Sequence, residues 1–157
     1  MPSSRNAEAA GPLHANAVQV AGQGLLIRGP AGSGKSDLTL RLVEAGALLV
    51  ADDRTEVRVE GERLVARAPS VLRELIEVRG LGVIRLPAER CLAECRLSAV
   101  VDLVGDPTSI QRMPRIDESA IEGVRLPLLE FWPFEASAAV KLRMFALTLN
   151  GTARLVE

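Results

Sequence analysis

Residues 24–53 read GLLIRGPAGSGKSDLTLRLVEAGALLVADD, and this stretch decides the fold. The apolar run Gly24–Arg28 has the length of a buried strand. It feeds directly into Gly29-Pro30-Ala31-Gly32-Ser33-Gly34-Lys35-Ser36, which fits G-x-x-x-x-G-K-[ST]. After the loop, Leu38, Leu42 and Ala45 recur at helical spacing, and Gly46 stands where a helix-terminating glycine belongs. Strand, glycine-rich loop and helix in immediate succession form the local frame of a phosphate site. The glycines let the backbone N–H groups converge on an anion, and the helix start adds partial positive charge. Lys35 brings an ammonium to the outer phosphates and the Ser36 hydroxyl is a candidate Mg²⁺ ligand.

The next element is Ala47-Leu48-Leu49-Val50-Ala51, a short apolar run suited to a strand covered on both faces, and it ends at Asp52-Asp53. Ligands of open α/β sheets sit beyond the carboxyl ends of strands. Two carboxylates there suit a cation or the proton of an incoming hydroxyl, the second being the task of a general base in phosphoryl transfer. An Asp-Asp pair closing a turn is the plain alternative. In most P-loop proteins the acidic strand comes later in the chain; here it follows the P-loop helix directly.

Working outward, Leu13–Val20 and Gly24–Arg28 flank Ala21-Gly22-Gln23 and predict a hairpin. Thr55–Val59 and Arg63–Ala66 predict another around Glu60-Gly61-Glu62. Gly82–Leu86 and Ser98–Val104 read as strands, Gly105–Glu122 as a polar loop or lid, and Val124–Phe131 as a last extended segment. Glu135–Leu149 reads as a closing helix with Ala136, Val140, Met144 and Leu147 on one face. The expected fold class is α/β, a P-loop-containing mixed sheet with few helices. A tail over residues 1–12 precedes a single domain over residues 13–157, a length sufficient for one sizeable core.

Composition excludes several classes. Nineteen basic against twenty acidic residues leave a net charge of −1, so no global field draws in nucleic acid or an anionic membrane. Aromatic residues are 3% of the chain, too few for a base-stacking platform along a single strand. No segment is long and apolar enough to span a bilayer, and residues 1–12 lack the apolar centre of a secretory signal, which makes the cytoplasm the expected location. Cys91 and Cys95 would share one face of a helix. Reduced, at least half-buried thiols are expected there, and one His with two Cys is too small a set for a zinc site.

Further stretches carry a resemblance: Leu13-His14-Ala15, the P-loop, Leu49-Val50-Ala51-Asp52-Asp53, and Glu77-Val78-Arg79-Gly80-Leu81-Gly82-Val83. In this order and spacing, from about residue 13 to residue 86, the chain resembles the HPr kinase/phosphorylase family, in a short form consisting of the C-terminal catalytic domain. The resemblance implies a core like that of phosphoenolpyruvate carboxykinase. It implies an ATP- and Mg²⁺-dependent kinase acting on a serine of HPr, a phosphocarrier of the phosphotransferase system, with dephosphorylation by phosphorolysis as the reverse activity. Carried over by residue, Asp52 is the general base and Lys35 stabilises the transferred group. Ser36, Asp53 and Glu77 are metal ligands, and His14 stands beside the carboxylates. Arg112, in Ile110-Gln111-Arg112-Met113-Pro114, corresponds to an essential downstream arginine. Glu77 with Arg79 as a surface pair, His14 as a core histidine and Arg112 as a solvated residue are the bland alternatives.

The likeness fades in the C-terminal half. Where longer members carry Pro-Val-Arg-Pro-Gly-Arg-Asn, this chain has Leu126-Pro127-Leu128-Leu129-Glu130-Phe131-Trp132-Pro133-Phe134, without the arginines that help dock the protein substrate and assemble hexamers. Trp132 and Phe134 are then a partner face, or core or self-association residues. A small-molecule P-loop kinase and a non-catalytic nucleotide sensor stand as alternative functions, and a homo-oligomer remains open.

Overall fold

The computed structural model describes residues 11–156; the expected tail falls largely on residues 1–10, outside them. Among the described residues ten strands and two α-helices follow one another. They begin with β1 (Ala15–Val20), β2 (Gln23–Arg28), helix α1 (Lys35–Glu44) and β3 (Leu48–Ala51). The hairpins β4 (Glu56–Glu60) with β5 (Arg63–Arg67) and β6 (Leu75–Val78) with β7 (Gly82–Arg85) come next. The chain continues through the long β8 (Glu94–Leu103), then β9 (Asp117–Ile121), β10 (Val124–Phe131) and α2 (Ala138–Leu149).

The main path of the large sheet runs β3-β1-β2-β8-β10-β9, with β5 joined to the start of β8 and β4 to β5. β1 is antiparallel to both β2 and β3, and β8 lies between β2 and β10 and is parallel to each. It follows that β2, β3, β8 and β10 all point the same way. Their carboxyl ends deliver Gly29, Asp52, Val104 and Trp132 to one rim, and β1 begins there, just after His14. The sheet is mixed, as expected.

Each face of the sheet carries its own core. On one side α1 and α2 cover Val18, Val20, Leu25, Ile27, Ala99 and Val101. On the other Leu64, Ala66 and Ala68 of the β4–β5 region, with Ile121 and Leu126, cover Ala15, Ala17, Leu26 and Val100. In α1 the buried positions are Lys35, Leu38, Thr39, Leu42 and Val43, the i, i+3, i+4, i+7, i+8 stripe of an amphipathic helix. Burying Leu38 and Leu42 contributes roughly 1.5–3 kcal/mol each and fixes the loop that starts the helix.

Several expectations need correction. The stretch 105–122 is not all loop: Asp117–Ile121 forms β9, antiparallel to β10. Only Ile121 of that edge strand is buried, so alternation is hard to read in the sequence. β6 was not anticipated as the partner of β7. The closing helix starts at Ala138 and turns Ala138, Leu142, Phe145 and Ala146 inward, leaving Val140 and Met144 exposed. Cys91 and Cys95 do not share a helix. Cys95 lies on β8, Cys91 before it, and both are free thiols; burial pushes Cys95 up to about 12. Among the described residues no helix is long and apolar enough to cross a membrane.

Candidate active site

The rim where the parallel strands end holds a cleft of about 420 Å³, within the range of small-ligand sites. His14, Ala31, Gly32, Gly34, Lys35, Ser36, Asp53 and Glu77 all line it, with Asp37, Leu40, Val78, Arg79 and Phe134. Residues drawn from the segment before β1, the P-loop, the turn after β3 and the β6–β7 hairpin thus meet at one place.

The loop is shaped by its own sequence. Gly34, at φ 100°, adopts a left-handed conformation at the N-cap of α1. A Cβ on Gly29 would lie 2.5 Å from Ser33 Oγ. That hydroxyl is the single buried side-chain polar atom, among the described residues, without a partner. Pro30 and Ser33 close the turn through a 3.0 Å backbone hydrogen bond. Lys35 Nζ donates to Gly29 O at 2.7 Å and Pro30 O at 3.2 Å. An ammonium has three protons, so one remains for a phosphate oxygen.

Burial pushes the Lys35 ammonium below an ordinary lysine, opposed by the attraction of Asp53 and Asp52. The charged form is the one that attracts phosphate. Pyrophosphate affinity should therefore fall as pH rises from about 7 towards about 10, beginning earlier than an unperturbed lysine would dictate. Titration calorimetry across that range tests this. Lys35→Met should bind weakly and keep only the pH dependence that pyrophosphate's own ionisation imposes, and an equally steep fall in that variant would place the titrating group elsewhere.

The two aspartates have different surroundings. Asp52 is buried and receives Ser36 Oγ at 2.6 Å and Asn16 Nδ2 at 2.7 Å on Oδ1, and the Glu77 backbone N–H at 2.9 Å on Oδ2. A carboxylate offers about four lone-pair positions, so one on Oδ2 is left. Asp53 is half exposed, sits at φ 71°, and its Oδ1 is 2.7 Å from His14 Nε2. Residues 13–16 are tied to this turn by the paired backbone hydrogen bonds of Leu13 with Thr55 and by Thr55 Oγ1 donating to Ala15 O. His14 is therefore a cleft residue and not a core histidine.

Asn16 escaped the sequence reading. It is fully buried. Its Nδ2 donates to Asp52 Oδ1 and, at 3.0 Å, to Thr39 Oγ1, while its Oδ1 accepts the Asp53 N–H at 2.8 Å. One amide thus holds both aspartates and the P-loop helix. The available signal was a polar residue heading the stripe Asn16, Val18, Val20 on the face of β1 turned towards α1.

Arg112 is not in the cleft. It lies exposed in the β8–β9 connection. That connection leaves the β8 end through a turn in which Asp106 Oδ1 accepts from Thr108 N and Oγ1, and leads to β9, at the edge of the sheet opposite β3 and the aspartates. Arg79 lines the cleft, and the Arg41 guanidinium donates to Pro133 O and Glu135 O beside Phe134.

Among the described residues no group of three or more His, Cys, Asp or Glu side chains forms a ready-made metal cage. The cleft is lined by Ser36 and by the carboxylates of Asp53 and Glu77, with that of Asp37 paired to Arg41; these are hard oxygen donors of the kind Mg²⁺ takes alongside phosphate oxygens.

A model of the HPr Serine kinase C-terminal domain matches residues 7–128. An HPr kinase/phosphorylase of Mycoplasmopsis pulmonis is 32% identical over 152 residues, spanning 88% of this chain and 49% of that protein. One from Geobacillus thermodenitrificans is 38% identical over 124 residues, covering 75% of this chain and 38% of the relative. One from Caldanaerobacter subterraneus is 42% identical over 93 residues, 59% of this chain and 30% of its own length. The chain thus spans half or less of these relatives. The solved structure of the Hpr(Ser) kinase/phosphatase from Coxiella burnetii superposes with a TM-score of 0.79 at 26% identity, over 90% of this chain and 99% of that one.

Proposed function

The chain belongs to the HPr serine kinase C-terminal domain family, and from that premise we propose that it is an ATP- and Mg²⁺-dependent kinase that phosphorylates a serine of an HPr-like phosphocarrier protein. The observation that carries the proposal is the convergence of Lys35, Ser36, Asp53, Glu77 and His14 on one cleft, with Asp52 hydrogen-bonded directly behind it.

In the proposed reaction the serine hydroxyl oxygen bonds to the γ-phosphorus as the bond from that phosphorus to the β–γ bridging oxygen breaks, releasing ADP. The hydroxyl proton passes to the unfilled position on Asp52 Oδ2. Three donors hold that carboxylate in place, so orientation is set before substrate arrives. The N–H groups of the loop and the third proton of Lys35 take the charge on the phosphates. Ser36, Asp53 and Glu77 would hold Mg²⁺, which neutralises phosphate charge when bound. His14 orients Asp53. By reversibility, protonated Asp52 is the acid when inorganic phosphate attacks phosphoserine, which yields pyrophosphate and the free hydroxyl.

The test is transfer of label from γ-labelled ATP, with Mg²⁺, to the HPr-like protein of the same host. Label on a serine is the expected result. Tight ATP binding with no label on that protein would overturn the substrate assignment in favour of a small-molecule acceptor, or of a nucleotide sensor if no acceptor is labelled.

A further inference from the structure

The cleft is longer than the phosphate site. Beyond the P-loop and the candidate metal ligands its lining includes Leu40, Val78, Arg79 and Phe134, with Asp37, whose carboxylate is paired with Arg41. Resting on the nucleotide reading of the P-loop, we propose that this end is a nucleobase subsite and that the Phe134 ring is its stacking wall.

Four observations point there. Phe131 and Phe145 are buried and Trp132 is partly buried, whereas Phe134 is 54% exposed and its ring lies in the cleft. The ring sits against the P-loop: a Cβ on Gly34 would be 3.0 Å from Phe134 Cζ and 3.1 Å from Cε1. The backbone on either side of the residue is also anchored. Arg41, rooted on α1, donates to the carbonyls on either side of it, Pro133 O at 2.5 Å and Glu135 O at 3.3 Å. Trp132 braces the ring edge-on, with centroids 6.2 Å apart and an interplanar angle of 74°. Finally, the Arg79 guanidinium, in the same cleft, has no ion pair or hydrogen bond to another described residue and is available to a π-system or a phosphate.

An exposed aromatic ring costs hydration free energy, and one fixed by neighbouring carbonyl contacts gives up little entropy when a planar ligand covers it. Any base offers a π-face, so the subsite adds affinity with modest discrimination between bases.

The experiment compares equilibrium binding of Mg·ATP and Mg·tripolyphosphate to the wild-type chain, Phe134→Ala and Phe134→Trp by titration calorimetry. Tripolyphosphate has the phosphates without the nucleoside. The expected result is that Phe134→Ala weakens ATP on the order of tenfold and leaves tripolyphosphate within about twofold, while Phe134→Trp keeps ATP near the wild-type value. Equal weakening of both ligands would overturn the proposal, because the ring would then only prop up Gly34. Unchanged ATP affinity in Phe134→Ala would also overturn it. A wild-type chain that binds neither ligand would sink the nucleotide reading itself, whereas one that binds both, with ATP affinity unchanged in Phe134→Ala, would sink the subsite alone.

Discussion

Asp52→Asn should lower phosphoryl transfer to the protein acceptor by roughly 10²–10⁴-fold, the usual contribution of a positioned general base, and leave nucleotide affinity within a few-fold of wild type. The substitution keeps the shape of the side chain and removes its charge. Its amide oxygen can still accept from Ser36 and Asn16, so the P-loop helix stays tied to β3. Its amide nitrogen then takes the place of Oδ2, the atom that now accepts the Glu77 N–H and has the one unfilled position. A donor facing a donor costs about 1–3 kcal/mol locally, and no acceptor remains for the serine proton. Binding survives because the groups that meet the phosphates, the loop and Lys35, are untouched, and losing a negative charge beside a polyanion favours it slightly. Single-turnover transfer of labelled phosphate, with binding measured separately, distinguishes the roles. Transfer at the wild-type rate would exclude Asp52 as the proton acceptor. A parallel loss of binding would mean that it serves chiefly to hold Ser36 and the loop.

What the sequence discloses, and what it withholds, divides along the range of the interactions involved. The β1–β2 hairpin, the P-loop and α1 are encoded locally, by turn residues, glycines and an apolar stripe, and they appear where the sequence places them. Asp52 and Asp53 were visible because a buried strand has to end somewhere and the chain ends this one with two carboxylates. Features that depend on distant partners were harder to read. α2 is apolar around much of its circumference, so periodicity alone favoured Val140 and Met144 over Leu142 and Phe145, and the sheet decides between them. β9 has one buried side chain and is a strand because β10 offers it an edge. Arg112 was placed by likeness across a loop whose length differs, where position along the chain no longer implies position in space. Phe134 reached the cleft through Arg41, a contact spanning more than ninety residues of chain.

Asn16→Leu should be the most disruptive single change near the site that leaves every proposed metal and phosphate contact in place. Leucine keeps the branching and heavy-atom count of asparagine, takes more room through its two methyl groups, and removes all three of its polar contacts. Asp52 loses a charge-assisted hydrogen bond in a buried setting, and the Asp53 N–H loses its acceptor. Thr39 suffers less, because its hydroxyl still donates to Lys35 O at 2.8 Å. Loss of a hydrogen bond to a charged group and of a buried N–H partner together should destabilise the fold by about 3 kcal/mol. Thermal unfolding should show this as a drop of roughly 6–12 °C. Transfer should fall further than stability accounts for, because Asp53 is held in its left-handed backbone conformation with help from the same amide. Measuring kcat and KM on the folded fraction separates the two effects: a positioning role lowers kcat with little change in KM for ATP, whereas a purely structural role leaves both unchanged once unfolding is corrected for. Asn16→Asp sharpens the test. At acid pH, where the new carboxyl and Asp52 share a proton, the introduced group can donate much as the amide does. As pH rises and the proton leaves, two carboxylates face each other, so the deficit in stability and in kcat should grow with pH. A deficit independent of pH would show that the amide fills space at this point and does not direct the carboxylate.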